Sequence, residues 1–449
     1  MQDSWVHYHY LYSVIMYLNF HTNPRKNTIP PPALGGNVTP NQICILGGGF
    51  AGLYTALYLN RLSWSKCKKP QITIIDKENR FLFTPFLYEL VTREFQSWEI
   101  APSFEKLLAD TGIQFHQGTI QGIDLEKRQV QLHRGEIFSY DYLVLAVGRE
   151  TLSDLVSGAA TYAYPFRTLA DADLLRERLR VLEATDLPKI QVAIAGGGPG
   201  GVELAGKLAD RLQERGQIYL FARDKQILKN FSAFSQKVAR QSLEARGVQV
   251  KFETSIDSVS SNQINLVHQG QVRTISVDLA IGTLGTQSKE WLRPLDCQHN
   301  SQNQLLTLPT LQLVNYPEVF ALGDLADIRD AQGKQVPSTA QAAFQQANCA
   351  ARNLGAALTG RPLLAFRYSH LGEMLTLGIN DAIVSSFGIN LRGSIACAIR
   401  RWVYILLRMP TRRHRLQVVK HRLKRLILDW LVSHRQQSTA KSYWRKSKY

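Results

Sequence analysis

Short apolar runs that end in glycine clusters recur along the chain and predict buried parallel strands. Ile43–Leu46 leads into a glycine cluster at residues 47–52, and helical apolar spacing follows from Leu53 to Leu62. Gln71–Asp76 reads as a second strand that ends in an acid. This order of strand, glycine turn, helix, strand and acid is typical of a βαβ unit that binds a dinucleotide.

The same pattern returns about 150 residues later. Gln191–Ala195 runs into a second glycine cluster at residues 196–201, a helix is predicted from Val202 to Glu214, and Ile218–Ala222 forms the next strand. Two copies of the unit predict an α/β fold with two Rossmann-like dinucleotide-binding domains.

Both glycine clusters have the GxGxxG spacing, in which each glycine has its own task. The first makes the tight turn, the second lets the backbone approach a pyrophosphate, and the third allows helix and strand to pack closely. The pyrophosphate then lies at a helix N-terminus, where free N–H groups and the helix dipole favour negative charge. These places are occupied by Gly47, Gly49 and Gly52 in the first cluster and by Gly196, Gly198 and Gly201 in the second.

The residues that end the second strand of each unit distinguish the two sites. Asp76 lies 24 residues beyond Gly52, in the position of the carboxylate that accepts from a ribose hydroxyl. The second unit has Ala222 and Arg223 there instead. Arginine pairs with a 2′-phosphate that a carboxylate would repel, so NADPH is expected in preference to NADH. A solvated surface arginine is the alternative interpretation of Arg223.

Charge is concentrated at the C-terminal end of the chain. The 449 residues carry a formal net charge of +17, and Arg392–Tyr449 accounts for +15 of it, with 16 Lys or Arg against one acid, Asp429. Basic residues there alternate with apolar residues spaced three and four apart, which predicts a basic amphipathic helix on an anionic membrane surface. The apolar positions are Leu416, Val419, Leu423, Leu426, Ile427, Trp430 and Leu431, and the basic positions between them are Arg415, Arg422, Lys424 and Arg425.

The segment before this helix is expected to lie on the surface as well. Ile395–Met409 is apolar but is interrupted by Arg400, Arg401 and Arg408. The alternative is a helix packed on the protein's own core or on a partner in a homodimer. A nucleic-acid partner is not expected, because no recognised nucleic-acid module accompanies the basic residues.

Composition narrows the class of protein further. Hydrophobic residues make up 45% and charged residues 20%, which is the ordinary globular mix and argues against a long disordered chain. The sequence contains no run of about 20 uncharged apolar residues, so no membrane-spanning helix is predicted. The five cysteines form no CxxC pair, which argues against a disulfide framework and a zinc site and fits a reducing compartment.

Three further segments extend the pattern to a known family. Leu143–Val147 ends at Gly148, Val319–Leu322 ends in Gly323 and Asp324, and Ala340–Gln345 matches an AQxAxQ signature. With the two glycine clusters, these segments resemble the two-dinucleotide-binding flavoproteins, and within them the type II NAD(P)H:quinone oxidoreductases. The resemblance covers residues 42 to about 432. It implies a glutathione-reductase-like fold, FAD in the first domain, and NADPH, or NADH less readily, in the second.

The resemblance also implies roles for single residues. Glu203, which follows the second glycine cluster, would lie near the nicotinamide or the quinone and steer hydride or proton transfer. Gln341 and Gln345 would lie at the flavin and quinone site. By spacing alone these glutamines would be surface or packing residues, and Glu203 an ordinary acid near a helix N-terminus. The FAD contacts implied outside the first glycine cluster and Asp76 are Pro85, Gly148, Gly323, Asp324, Ala340 and Gln341.

These patterns divide the chain into five expected parts. They are an extension at residues 1–40 that is expected to be disordered, the first part of the FAD domain at 41–160, the NAD(P)H domain at 161–285, the second part of the FAD domain with the quinone-site helix at 286–390, and the basic membrane-binding tail at 391–449.

The expected function is hydride transfer from NADPH to FAD and two-electron reduction of a membrane quinone, on the cytoplasmic face of the plasma or thylakoid membrane. Tyr368–Met374 and Arg400–Trp402 resemble the cyanobacterial and chloroplast branch of the family, which implies demethylphylloquinone, an intermediate of phylloquinone synthesis, as the acceptor. One alternative is a respiratory NADH dehydrogenase that uses plastoquinone or ubiquinone. Another is a flavin-bearing redox-sensing or interaction protein.

Overall fold

The computed structural model describes residues 40–65, 67–151, 156–283 and 285–428. The expected disorder of residues 1–40 therefore concerns a segment that lies outside this part of the chain, apart from Pro40. Trp430 and Leu431 of the tail also lie outside it. Residues 412–428 are helical and are called the C-terminal helix below. The other α-helices are, in chain order, α1 (Phe50–Asn60), α2 (Leu87–Val91), α3 (Ser97–Ile100), α4 (Phe104–Leu108), α5 (Ala159–Tyr162), α6 (Leu169–Glu183), α7 (Pro199–Leu212), α8 (Ala233–Ala245), α9 (Ala340–Leu358) and α10 (Gly393–Val403).

The strands form two five-stranded sheets and several smaller ones. Antiparallel three-stranded sheets are formed by Ile120–Asp124, Gln129–Leu132 and Ile137–Ser139, and by Thr254–Val259, Gln263–His268 and Gln271–Ser276. The strands labelled here are β1 (Gln42–Leu46), β2 (Gln71–Asp76), β3 (Gln114–Gln117), β4 (Tyr142–Leu145), β5 (Ala163–Pro165), β6 (Ile190–Ala195), β7 (Gly216–Phe221), β8 (Gln249–Lys251), β9 (Leu279–Gly282), β10 (Val319–Ala321), β11 (Glu373–Gly378), β12 (Asp381–Ser386) and β13 (Ile389–Arg392).

The first large sheet is entirely parallel, in the order β10-β4-β1-β2-β3. Its central strand β1 is apolar and buried, because helices cover both faces of a parallel sheet. α9 packs along α1. The strand order reverses beside β1, and α/β proteins bind their ligands outside the carboxyl ends of the strands at such a reversal.

The second large sheet repeats this architecture, in the order β8-β7-β6-β9-β5. All four pairings are parallel. The glycine cluster at 196–201 joins β6 to α7, which begins at Pro199 rather than at the predicted Val202. Proline suits the first turn of a helix because its missing N–H has no partner there. Together with the first sheet, this establishes the α/β fold.

Strands β11, β12 and β13 form an antiparallel sheet that carries the C-terminal segments. α10 packs on β12, and β11 packs against α7 of the second large sheet. A turn with π-helical hydrogen bonding, Tyr404–Arg408, follows α10 and leads to the C-terminal helix. The last part of the described chain is thereby attached to the body of the molecule.

The prediction that Ile395–Met409 lies on the surface is wrong for one face of this segment. Ile405 and Met409 are fully buried, and Arg400 is 2% exposed. An arginine can be buried here because two carboxylates from distant parts of the chain meet its guanidinium group. Only the opposite face, which carries Ile395 and Leu406, is exposed.

The C-terminal helix also packs on the body, largely through a different face from its apolar stripe, although Val419 of the stripe contacts the core. Val418 is fully buried, and the Arg422 guanidinium lies 3.5 Å from the centroid of the Phe95 ring. Arg422 also pairs with buried Glu99 at 2.9 Å. Within the described residues, no helix has the length and hydrophobicity needed to cross a membrane.

Candidate active site

The first glycine cluster makes a tight turn at the carboxyl end of β1. Gly47 has φ +98°, and a Cβ there would lie 2.5 Å from the carbonyl oxygen of Ala146. A Cβ on Gly52 would lie 1.8 Å from the carbonyl oxygen of Gly47, so α1 can approach the turn only because this residue is glycine. Gly49, at the N-cap of α1, has open space beside it. The α1 N-terminus therefore opens on free space, as a pyrophosphate site requires.

Asp76 lies beside this turn at the end of β2. Its carboxylate accepts from the backbone N–H of Gly48 at 2.6 Å and of Glu78 at 2.9 Å. Both acceptor contacts hold the carboxylate at the mouth of a cavity of about 900 Å³, which is within the size range of ligand sites. Its lining includes most of the residues expected to contact FAD: Gly47, Gly49, Asp76, Gly148, Gly323, Asp324 and Ala340.

The end of β10 and the N-terminus of a helix also contribute to the lining of this cavity. Gly323 and Asp324 follow β10, and the Gly323 N–H donates to the Oε1 of Gln346 at 2.8 Å. Gln346 is 3% exposed and lies on α9, so this helix fixes the loop that carries Asp324. α9 begins at Ala340, where the Thr339 hydroxyl accepts from the Ala342 N–H. The N-terminus of α9, with Thr339 as its cap, therefore faces the same cavity.

The turn around Pro85 forms one wall of the site region. Thr84 lines the cavity, and Pro85 lies in the single helical turn Thr84–Phe86. The Pro85 carbonyl accepts from Nη2 of Arg400 at 2.5 Å. This contact links the wall of this cavity to α10 in the C-terminal part of the chain.

The second glycine cluster repeats the geometry of the first. Gly196 has φ +127°, and a Cβ on Gly201 would lie 1.9 Å from the carbonyl oxygen of Gly196. Gly198 is the N-cap of α7 and has open space beside it. Ala222, which follows β7, is buried, whereas Arg223 is exposed. Among the described residues, no carboxylate pairs with Arg223, although the neighbouring Asp224 pairs with Lys229.

Glu203 lies in the second turn of α7 and is buried. Its Oε1 accepts from the Thr376 N–H at 3.0 Å and lies 3.5 Å from Nη2 of Arg400. Burial raises the pKa of Glu203 to about 7, although the Arg400 charge acts in the opposite direction. A carboxyl with this pKa holds or releases a proton near neutral pH.

Arg400 joins Glu203 to a second acid, Glu89 on α2. Nη1 of Arg400 donates to Oε1 of Glu89 at 2.5 Å, and the guanidinium lies over the rings of Phe86 and Tyr404. Burial alone would raise the pKa of Glu89, but the charges of Arg400 and Lys207 outweigh it and hold the pKa below its ordinary value. Near neutral pH, Glu89 is therefore ionised, whereas the Glu203 carboxyl is about half protonated.

A second layer of buried charge lies next to this group. Lys207, one turn beyond Glu203 on α7, is fully buried and pairs with Glu94. Arg401 donates to the other oxygen of Glu94 at 2.8 Å. These pairs tie α7, α10 and the loop after α2 together through buried charged groups.

Gln341 and Gln345 both hold the segment 368–372. Oε1 of Gln341 accepts from the Leu371 N–H and the Tyr368 hydroxyl, and its Nε2 donates to the Gly372 carbonyl. Gln345 makes a reciprocal pair with the backbone of Ser369, at 2.8 and 2.9 Å. The two side chains, one helical turn apart on α9, therefore act as a clamp on this segment.

Comparison with known proteins assigns the chain to a family with this fold. Residues 41–347 match the family model of the pyridine nucleotide-disulphide oxidoreductases. The demethylphylloquinone reductase NdbB of Synechocystis is 47% identical over 394 residues, which cover 87% of this chain and 97% of the relative.

The chain belongs to this family, and within it to the type II NAD(P)H:quinone oxidoreductases.

Another relative supports the assignment, and a solved structure shares the fold. The alternative NAD(P)H-ubiquinone oxidoreductase C1 of Arabidopsis thaliana is 39% identical over 412 residues, which cover 84% of this chain and 79% of the relative. NDH2 from Plasmodium falciparum in complex with NADH has the same fold, with a TM-score of 0.76 and 18% identity, over 85% of this chain and 97% of that one. The expected α/β fold of the pyridine nucleotide-disulphide oxidoreductases is thus confirmed.

The family is named after disulphide oxidoreductases, but all five cysteines of this type II oxidoreductase are free thiols. Burial raises the pKa of Cys297 and of Cys349 to about 11, so neither is a reactive thiolate at neutral pH.

Sequence analysis did not assign Glu89, Gln346 or Arg400 to the site region, and it expected Arg400 on the surface. Arg400 shares a helix face with Ala396 and Cys397, but no local feature distinguishes a buried arginine there from one at a membrane surface. Glu89 and Gln346 have no local signal either. Their partners, Arg400 and Gly323, lie far away along the chain.

Proposed function

We propose that this flavin-dependent NAD(P)H:quinone oxidoreductase takes its hydride from NADPH and reduces a membrane naphthoquinone, demethylphylloquinone. The acceptor is the one that the relative in Synechocystis is named for. The donor preference is supported by Arg223, which is exposed and unpaired among the described side chains at the end of β7. A free guanidinium there suits a 2′-phosphate.

The residues that line the first cavity fit FAD. The free α1 N-terminus at Gly49 suits the pyrophosphate, and the Asp76 carboxylate suits a ribose hydroxyl. Gly323, Asp324 and the N-terminus of α9 would hold the remainder of the molecule. The chemistry that FAD supplies when bound is acceptance of a hydride from a nicotinamide and donation of two electrons to a quinone.

Protein groups then have to position the partners and supply a proton, since a quinol carries two protons that the quinone lacks. Glu203 is the carboxyl in this region with a pKa of about 7 and can hold a proton at neutral pH. Arg400 holds its Oε1 in place. Gln341 and Gln345 fix the segment 368–372, which would form the edge of the quinone entrance.

A peripheral position on the membrane is part of the proposal, since this quinone stays in the bilayer. The C-terminal helix leaves a row of large apolar side chains exposed although its opposite face packs on the body. Such an uncovered row on a basic helix fits the boundary between headgroups and acyl chains. The exposed members are Leu416, Leu423, Leu426, Ile427 and Leu428.

One experiment tests the function as a whole. The cofactor of the purified protein is extracted and identified, and the enzyme is then assayed in liposomes with NADPH and NADH against demethylphylloquinone, plastoquinone and ubiquinone. We expect FAD, a higher kcat/KM with NADPH, and the highest rate with the naphthoquinone. A preference for NADH with plastoquinone or ubiquinone would favour a respiratory dehydrogenase. Turnover far below that of ordinary flavoenzymes with every quinone would favour a sensing role.

A further inference from the structure

A cavity of about 480 Å³ lies apart from the flavin site, where three helices meet. The end of α1 contributes Arg61, α4 contributes Lys106, and the start of the C-terminal helix contributes Arg412 and Arg413. Asp110, after α4, is the acid of the lining. Four cations therefore surround one carboxylate.

The positive charge of this cavity is largely uncompensated. Asp110 pairs with Arg413 at 3.0 Å. Within the described part of the chain, no carboxylate or carbonyl oxygen accepts from the side chains of Arg61, Lys106 or Arg412. Like charges held close together repel one another, and a bound anion would remove that repulsion.

A neighbouring arginine confirms that these charges converge. Arg415 is turned inward and donates to the backbone carbonyls of Met409, Leu406 and Pro410. Burial lowers the pKa of Arg415, and the positive charges of Arg61 and Arg412 lower it further. Both cations are thus close enough to act on one half-buried guanidinium group.

The cavity also offers an apolar floor and an unused acceptor. Leu57 and Leu107 line it and are nearly fully buried. Oδ1 of Asn60, another lining residue, is buried without a hydrogen-bond partner among the described residues. An anion with a hydroxyl group could satisfy both the cations and this oxygen.

The exposed apolar row of the C-terminal helix begins at the same place. Leu416 lies one turn beyond Arg412, and Leu423 and Ile427 continue the same helix face. A molecule with an anionic head in the cavity would therefore have its apolar part along this row. That arrangement matches a lipid better than a free phosphate ion.

We propose that this cavity binds the phosphate headgroup of an anionic glycerophospholipid and anchors the enzyme at one defined point of the membrane. The proposal rests on the membrane association of the proposed function. It goes beyond a diffuse attraction between a basic tail and an anionic surface, because it assigns a site with its own residues.

The test compares two charge-matched triple variants of the full-length holoenzyme. One removes the site cations, Arg61→Gln, Lys106→Gln and Arg412→Gln. The control removes three exposed cations elsewhere, Arg134→Gln, Lys237→Gln and Arg273→Gln. Binding to phosphatidylcholine vesicles, with and without phosphatidylglycerol, is measured by sedimentation at constant ionic strength. Flavin content and turnover with a soluble naphthoquinone monitor folding and the catalytic centre.

The site variant should bind phosphatidylglycerol vesicles on the order of 100-fold more weakly than wild type, because each cation at an anionic surface contributes about fivefold. The control variant should bind almost as wild type does, and both should keep their turnover. Equal losses in the two variants would overturn the proposal in favour of diffuse attraction. Wild-type binding by the site variant would overturn it as well.

A second arm distinguishes a lipid from a free ion, with inorganic phosphate and glycerol 1-phosphate as competitors at constant ionic strength. Stronger competition by glycerol 1-phosphate is expected, because its glycerol hydroxyls can donate to Asn60 while its phosphate group pairs with the cations. Equal competition by inorganic phosphate would assign the cavity to a free ion instead. If the wild-type enzyme bound no vesicle, the membrane association itself would be overturned. If the wild-type enzyme bound vesicles but showed no turnover, only the proposed reaction would be overturned.

Discussion

Arg400 donates from Nη1 to Oε1 of Glu89 at 2.5 Å, although the two residues are 311 positions apart in the chain. Both side chains are 2% exposed. The contact joins α10 to the helix that follows the Pro85 turn, and Nη2 of the same arginine reaches the Pro85 carbonyl. The C-terminal part of the chain is therefore a component of the active-site wall as well as a basic surface.

Replacement of Arg400 by glutamine should destabilise the protein strongly. The variant leaves the Glu89 carboxylate buried without its counter-charge, so the free energy of unfolding should fall by about 3–5 kcal/mol. Denaturant unfolding of the holoprotein at pH 7 measures this. Arg180→Gln, which breaks an exposed ion pair with Glu177, is the control and should have no measurable effect. Equal stability of both variants would show that the buried pair contributes nothing.

Glu203 should make stability depend on pH in a defined direction. The native carboxyl has a pKa of about 7 and an ordinary one titrates at 4.5, so between these values the native state retains a proton that the unfolded state has lost. Stability contributed through this group therefore falls as the pH rises from 4.5 to 7, by on the order of 3 kcal/mol.

The variant Glu203→Gln removes this titration and keeps the size of the side chain. Its stability relative to wild type should increase between pH 5 and pH 8, because only the wild type has to bury a charge at the higher pH. Denaturant unfolding of the two proteins at a series of pH values gives the difference. Asp110→Asn, at an exposed acid, is the control. A difference that does not change with pH would mean that the Glu203 pKa is ordinary.

The two dinucleotide units were predictable from sequence because their requirements are local. A positive φ at Gly47 and the close approach of Gly52 to it allow only glycine, within six residues of one another. The apolar runs before each cluster identify the strands for the same reason. Local rules of this kind need no knowledge of the rest of the fold.

The burial of Arg400 and Arg422 was not predictable in this way. Charge counting assigned both to a membrane surface, since basic residues beside apolar ones are typical of interfacial helices. Their carboxylate partners, Glu89 and Glu99, lie more than 300 positions earlier. A long-range contact of that kind leaves no periodic trace in the sequence. The signature that located Gln341 and Gln345 likewise did not reveal the segment that they clamp.

The clamp on the segment 368–372 can be tested by removal of one glutamine. Gln345→Ala deletes both hydrogen bonds to the Ser369 backbone, so amide exchange at Ser369 should accelerate by on the order of tenfold. Hydrogen-deuterium exchange with mass spectrometry measures the effect. Exchange in β2 should not change, and Gln332→Ala, at an exposed position, should leave both regions as they are. Unaltered exchange at Ser369 would show that other contacts hold the segment.

Arg223→Glu should reverse the preference between the two nicotinamide cofactors. A carboxylate at this exposed position repels the 2′-phosphate of NADPH and accepts from the ribose hydroxyl of NADH. The ratio of kcat/KM values should shift toward NADH by about 10- to 100-fold, which corresponds to the loss of one charge-assisted hydrogen bond. Lys237→Glu, with the same change of charge on α8, should leave the ratio unchanged. If Arg223→Glu also leaves it unchanged, Arg223 is a surface residue only.

Substitutions in the exposed apolar row of the C-terminal helix test membrane attachment without a change to the buried core. Removal of all residues after Asn390 would also remove Arg400 and Met409 from the core, so that truncation cannot report on attachment alone. Leu416→Ser, Leu423→Ser and Ile427→Ser change only side chains that are 60%, 48% and 58% exposed. Their combination should leave turnover with a soluble quinone intact.

Vesicle affinity should fall by at least about 100-fold in this triple variant, because each side chain loses most of the free energy of transfer from water to an apolar medium. The matched control is Leu174→Ser, Val181→Ser and Val272→Ser, three exposed apolar residues far from the C-terminal helix in sequence. Sedimentation with phosphatidylglycerol-containing vesicles compares the two. A control that loses as much affinity would make the attachment an unspecific hydrophobic effect. Unchanged affinity in both triple variants would show that the apolar row of the C-terminal helix does not contact the membrane.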